Sequence, residues 1–443
     1  MLSQRNARFR SVRAKRTVRW MALGLVLVLA LAPAASRAEP DECAFWDADP
    51  KTSGANEEYL PTPDPDPFYV QPDPMPCTPL GTILDWRPIT FTPTPGLALP
   101  NDAWHLKFLS TDPFGAPIAA VASVVKPLPE VTSATPKLLA HQFFENSLGS
   151  VCAPSHTVTG ATDNLESTMG SPFYLTGPLA LGWTLVIPDH EGPLTTYGAP
   201  ITSGRITLDA IRAAEGFASL SLVGSATPVA LWGFSSGATA SIWAAAMAPT
   251  YAPELNIVGA AGGGTLLDVG DFFASVDGHP FWMRYAFSGM IGITRVYEDF
   301  VPVSLLNEAG LEMARAVKDG CNGQRTDGGP APSGHFSDFV IEDPFGRPQA
   351  LATYAATALP RPDAIPTADV YLYHSTDDEL APMENVHAAA RAWCEHGTRV
   401  VVNELPGTHV TAGFSGLAGA IRFLTRAFDG LDPQPEGTER GCA

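Results

Sequence analysis

The stretch Pro228-Val229-Ala230-Leu231-Trp232-Gly233-Phe234-Ser235-Ser236-Gly237-Ala238-Thr239-Ala240 decides the fold. Its first part is an unbroken apolar run, the pattern of a strand buried on both faces. From Ser236 to Ala248 the residues are small and read as a helix. The junction, Gly233-Phe234-Ser235-Ser236-Gly237, is a G-x-S-x-G sequence lying between that strand and that helix. The pentapeptide alone carries little weight in a chain with 40 glycines; its context gives it weight. A turn this sharp presses backbone against backbone, so glycine is needed at Gly233 and Gly237, and Ser235 is forced into strained dihedrals. The helix beneath then offers free N–H groups to the site. Ser235 is the candidate nucleophile, with an ordinary glycine-rich turn as the alternative reading.

Outward from this junction, strand and helix patterns alternate. Lys137–Phe144 and Gly182–Asp189 read as strands before it, with a helical stripe over Ser203–Leu220. Leu255–Ala260, Asp369–His374 and Arg399–Glu404 read as strands after it, with helices over Met383–His396 and Thr411–Phe428. Trp104–Ser110 and Pro117–Lys126 look like earlier strands. This alternation predicts an α/β fold with a mostly parallel central sheet flanked by helices.

A serine nucleophile needs a base, and the base needs an orienting carboxylate. Two later strands run into suitable loops. One is Tyr371-Leu372-Tyr373-His374-Ser375-Thr376-Asp377-Asp378, and the other is Glu404-Leu405-Pro406-Gly407-Thr408-His409. The order Ser, acid, His along the chain is that of the α/β-hydrolase fold, which makes Asp378 and His409 the candidate partners of Ser235. His141, His374, His387 and His396 read as structural or solvated. Asp189-His190-Glu191-Gly192 superficially resembles a metal cluster, but adjacent side chains point different ways. It reads as the turn after a central strand, lining the site at most. No metal and no cofactor is expected.

The alternation breaks over residues 265–350, where large apolar residues concentrate (Phe272, Phe273, Phe281, Trp282, Met283, Tyr285, Phe287, Met290), ending in a Gly/Pro stretch over Asn322–His335. This reads as a mainly helical insertion, a cap with its own small core. The hydrolase core is expected over 101–264 and 351–430, with a tail over 431–443. Residues 39–100 read as a Pro-rich arm laid on the surface; Pro61 to Leu80 alone holds eight prolines.

The first 38 residues read as a signal segment: a basic n-region, an apolar run Met21–Ala35, and small residues before a cleavage point after Ala38. The apolar run falls short of the roughly 20 residues a bilayer span needs, so no stable span is expected after cleavage; an uncleaved anchor is the alternative. Cleavage would remove eight of the 27 basic residues and none of the 46 acidic ones, for a net charge of −27. Such a surface repels phosphates and excludes nucleic acid as a partner. Six cysteines, all beyond the signal segment, suit disulfides outside the cell.

The chain resembles the secretory lipase family, the lipase A-like α/β-hydrolases, from Asp66-Pro67-Phe68-Tyr69 to about Gly430. Besides the elbow and His409, the resemblance rests on Gln142-Phe143-Phe144-Glu145-Asn146-Ser147, Cys152-Ala153-Pro154-Ser155, Asp189-His190-Glu191-Gly192, Tyr251-Ala252-Pro253-Glu254-Leu255-Asn256-Ile257-Val258-Gly259 and Asp378-Glu379-Leu380-Ala381-Pro382. It implies cofactor-free hydrolysis of acylglycerols and other carboxylic esters, and a secreted enzyme meeting its lipid ester at a lipid–water interface. It also implies a disulfide from Cys152 into the cap at Cys321; the pairing of Cys43, Cys77, Cys394 and Cys442 stays open. Two departures stand out: Asn146 where the family often has Asp, and only a short tail, with Cys442, after the last helix. The expected oxyanion hole is the pair of backbone N–H groups of Ser236 and Asn146. The same residues would also serve a short-chain carboxylesterase or an acyltransferase. A catalytically inactive binding or cell-wall protein is the reading that the complete set of triad residues argues against.

Overall fold

In the computed structural model, which describes residues 56–133, 135–162, 165–432 and 439–440, ten strands form one sheet. They are β1 (Ile83–Thr90), β2 (Asp102–Thr111), β3 (Pro117–Val125), β4 (Leu138–Gln142), β5 (Thr184–Pro188), β6 (Val229–Phe234), β7 (Ile257–Gly263), β8 (Asp369–Ser375), β9 (Val400–Leu405) and β10 (Glu439–Arg440). Their order across the sheet is β1-β2-β3-β5-β4-β6-β7-β8-β9-β10. The run from β5 to β9 is parallel, and antiparallel pairs flank it on both sides. From β4 the chain steps to one side for β5 and then to the other for β6. Such a reversal opens a crevice at the carboxyl ends of the strands, where ligands bind in open α/β sheets.

The helices are α1 (Pro154–Thr157), α2 (Leu165–Ala180), α3 (Pro200–Gly216), α4 (Ser236–Tyr251), α5 (Val269–Val276), α6 (Met283–Thr294), α7 (Glu308–Val317), α8 (Pro348–Thr357), α9 (Met383–Glu395), α10 (His409–Ser415) and α11 (Leu417–Phe428). Strand side chains alternate between faces, so each central strand feeds two cores. Leu231, Val370 and Leu372 join Ile206 and Ile211 of α3, Trp243 of α4 and Trp393 of α9 on one face. Ala230, Trp232, Tyr371 and Tyr373 join Tyr174 and Leu175 of α2 and Phe423 of α11 on the other. Covering both faces is why β5 and β6 read as nearly continuous apolar runs and why β4 is buried along its whole length. A third core joins α5 to α8 with Tyr197, on the loop after β5, and Leu380, on the loop after β8. The 265–350 segment therefore packs on loops that leave the sheet's carboxyl edge.

Several expectations need correction. The Pro-rich 39–100 segment is more than a surface arm. Its residues Ile83–Thr90 are strand β1, and an edge strand tolerates Pro88 because one side of its backbone has no ladder to lose. Tyr59 is fully buried in the third core and its hydroxyl donates to the Val301 carbonyl at 3.0 Å. The helical insertion does not end at 350: α8 continues to Thr357, burying Ala350 in the third core, and the sheet resumes only at Asp369. The helix expected over Thr411–Phe428 is two helices divided at Gly416, where an added Cβ would meet the Tyr373 ring at 2.0 Å. Helix α2 was not foreseen, because Gly170, Pro172, Gly177 and Pro178 mask its pattern. The signal segment, residues 39–55 and most of the 431–443 tail lie outside the described residues. Among the described residues no helix is long and apolar enough to cross a membrane.

Candidate active site

The end of β6 builds the first part of the site. Ser235 sits between β6 and α4 at φ 55° and ψ −125°, in the left-handed half of backbone space that a non-glycine residue avoids. The turn is held by the Ser235 N–H, which donates to the Gly263 carbonyl at 2.7 Å. The two glycines answer steric demands. A Cβ on Gly233 would meet the Gly237 carbonyl oxygen at 2.2 Å, and one on Gly237 would meet the Gln142 carbonyl oxygen at 2.2 Å. Backbone fills both spaces, so no side chain can yield.

Strands β8 and β9 deliver the other two candidates. His409 begins α10 just beyond β9, and its Nε2 lies 2.9 Å from the Ser235 hydroxyl. Its Nδ1 lies 2.8 Å from Oδ2 of Asp378, in the turn after β8. A carboxylate accepts only, so Nδ1 carries the proton and Nε2 is left to accept from Ser235. Oδ1 of Asp378 accepts the N–H groups of Leu380 at 2.9 Å and Ala381 at 3.1 Å. Burial works against ionising Asp378. The hydrogen bond and charge of His409, with the Leu380 N–H, lead the groups that outweigh it and hold the carboxyl below its ordinary value. Asp377, by contrast, is exposed.

The loop after β4 closes the third side. Its Glu145 carbonyl accepts the Ser236 hydroxyl at 3.0 Å, tying the elbow to the peptide that Glu145 shares with Asn146. Asn146 is buried beside it. Ser236 opens α4, where a backbone N–H has no intrahelical partner.

His190 and Glu191, after β5, line a cavity together with Ser236, Thr239, Phe273 and Ile293. They are therefore part of its wall; among the described residues no group of three or more His, Cys, Asp or Glu side chains is arranged to hold a metal ion. His190 Nε2 donates to the Phe143 carbonyl at 2.9 Å, bracing the loop after β4. Burial lowers its basicity to a pKa of about 4. Burial also pushes the carboxyls of Glu145 and Glu191 well above the ordinary range, Asp189 adding to the effect on Glu145 and Glu145 to that on Glu191.

Cys152 and Cys321 form a disulfide between the segment after β4 and the helical insertion. Cys77 and Cys394 are also disulfide-bonded. Two contacts were invisible in the sequence. His374 reaches Asp378 from a buried position, and a carboxylate oxygen of Glu379 accepts the His409 backbone N–H at 2.9 Å. Both residues stand in quoted stretches, but no motif says which way a side chain points.

The family model described as Secretory lipase matches residues 164–435. Lipase 10 of Candida albicans is 31% identical over 410 residues, 86% of this chain and 84% of its own length. Secreted triacylglycerol lipase LIP1 of Malassezia furfur is 30% identical over 390 residues, 85% of this chain and 77% of its own. The X-ray structure of Candida antarctica lipase A in its closed state superposes with a TM-score of 0.75 at 27% identity, covering 85% of this chain and 89% of that one.

Proposed function

The chain belongs to the secretory lipase family, and on that premise we propose that it is an exported triacylglycerol lipase whose catalytic triad is Ser235, His409 and Asp378. That it is a carboxylic ester hydrolase of the triacylglycerol lipase kind follows from the family. The roles of the residues rest on one observation above all: the relay from Ser235 Oγ through His409 to Asp378, with contacts of 2.9 and 2.8 Å.

In this reading Ser235 Oγ attacks the ester carbonyl as His409 Nε2 takes its proton. The tetrahedral oxyanion is met by the backbone N–H groups of Ser236 and Asn146. The C–O bond to the alcohol then breaks, and His409 returns the proton to the leaving oxygen. Water repeats the sequence on the acyl-enzyme and releases the fatty acid. Asp378 keeps Nδ1 protonated and stabilises the imidazolium. The helical insertion, from residue 265 through α8, serves as a cap tied down by Cys152–Cys321. Its aromatic wall against Ser236 and Thr239 suits an acyl chain. Export rests on the basic and apolar pattern of the first 38 residues and on the family's secreted relatives.

Fluorophosphonate labelling tests the triad. Wild type should label and hydrolyse tributyrin and longer triacylglycerols. Ser235→Ala should lose labelling and about 10⁶-fold of its turnover. A mutant that labels like wild type overturns the assignment, and activity confined to short soluble esters favours a carboxylesterase.

A further inference from the structure

Glu379 follows the proposed triad acid, and its two carboxylate oxygens hold two different parts of the molecule. One accepts the backbone N–H of His409 at 2.9 Å. The other accepts the indole Nε1–H of Trp282 at 3.2 Å. Trp282 immediately precedes α6 of the helical insertion and is buried, and its ring stands edge-on to the His409 imidazole with centroids 6.0 Å apart. The His409 N–H belongs to the first turn of α10, and the N-cap Thr408 side chain makes no capping bond. Glu379 therefore does the capping from a distant loop, where a carboxylate also suits the positive end of a helix.

We propose that Glu379 is a positioning residue that couples the seating of the insertion, through Trp282, to the seating of His409. The inference rests on the triad reading above. With Trp282 in place, both carboxylate oxygens are fixed, and with them the start of α10 and the imidazole it carries. When Trp282 withdraws, Glu379 loses one of two anchors and His409 loses rigidity. The enzyme is thereby most competent with its insertion docked over the ester.

A double-mutant cycle on the full chain tests this, with turnover on nitrophenyl butyrate expressed per site titrated by fluorophosphonate. Glu379→Gln offers one acceptor where two are needed and should lower kcat about tenfold, with KM unchanged. Trp282→Phe keeps the ring and loses only the N–H; kcat should fall about threefold. The double variant should be no slower than Glu379→Gln, because Trp282 acts through Glu379. Multiplicative losses overturn the coupling. So does an unchanged kcat per titrated site in Trp282→Phe, a reading available even if Glu379→Gln does not fold. Wild type that fails to label would instead overturn the triad reading beneath it.

Discussion

The Nε2 of His374 lies 3.4 Å from Oδ2 of Asp378, the same oxygen that meets His409 Nδ1 at 2.8 Å. His374 Nε2 is also 3.0 Å from the Ala381 carbonyl, which can only accept, so the ring carries its proton there. Burial, foremost, lowers its basicity, and it stays neutral at pH 7. A neutral imidazole thus fixes, through the Ala381 carbonyl, the turn that presents Asp378. His374→Ala should lower kcat about tenfold by freeing that turn, and His374→Gln, whose amide can still donate, should restore part of it. Steady-state turnover of the two variants on a soluble ester checks this; equal rates in both would remove His374 from the mechanism.

Asp378 and Asp377 differ in exposure and in contact with His409, and their asparagine variants should differ by orders of magnitude. The side chain of Asp378 is fully buried against His409, whereas Asp377 is exposed and ties its turn down through a backbone bond to the Gly407 carbonyl. Asp378→Asn should cost about 10⁴-fold in kcat, because an amide facing Nδ1 favours the wrong tautomer. Asp377→Asn should stay within about twofold of wild type, as surface substitutions do. A larger loss in Asp377→Asn would reassign the acid.

The pair Glu145 and Glu191 sets a pH dependence of stability. Both carboxyls are raised above the ordinary value of 4.5, so in the folded state they keep protons that the unfolded chain has released. Their favourable contribution is complete below pH 4.5 and is lost as pH rises toward the folded values. Neighbouring groups pull both ways. Asp189, raised to about 7, acts in the same sense. His190, lowered to about 4, acts in the opposite sense and gains stability as pH rises to its ordinary value. Arg295, lowered to about 9, titrates above this window. Comparing Glu191→Gln with wild type isolates the acid. The variant's melting temperature relative to wild type should rise between pH 5 and pH 8; a difference independent of pH would refute the account.

How far the sequence carried follows from what each residue must do. Ser235 was legible because an elbow between a buried strand and a helix leaves Gly233 and Gly237 no alternative. The placement of Asp378 and His409 beside it was legible because each follows closely on a strand at the same sheet edge. The lateral contacts were not. His374 reads as an ordinary strand residue, and only the fold sets its ring behind Asp378. Trp282 and Glu379 are 97 residues apart, and a hydrogen bond across that separation leaves no periodic trace. Strand β1 and helix α2 were hidden for a common reason: prolines that argue against regular structure locally are tolerated once tertiary packing has fixed the backbone around them.

The oxyanion hole is where backbone and side chain have to be told apart. The Ser236 hydroxyl donates to the Glu145 carbonyl at 3.0 Å, which fixes the peptide unit that also carries the Asn146 N–H. In a trans peptide the N–H points opposite to its C=O, so anchoring one aims the other. The loop lies tight against the elbow: a Cβ on Gly237 would strike the Gln142 and Phe143 carbonyls at 2.2 and 2.6 Å. If the Asn146 N–H is the donor, side-chain chemistry at this position matters little, and Asn serves as well as Asp. Asn146→Ala should then stay within a few-fold of wild type. Asn146→Pro, which deletes the N–H, should lose about 10²–10³-fold in kcat, the scale of one oxyanion donor. Ser236→Ala supplies the control: it keeps the Ser236 N–H, cuts only the tie to Glu145, and should cost about tenfold. Because proline also restricts the backbone, each variant is compared after thermal melting shows that it is folded. Equal losses in folded Asn146→Ala and Asn146→Pro would move the donor from the backbone to the Asn146 side chain.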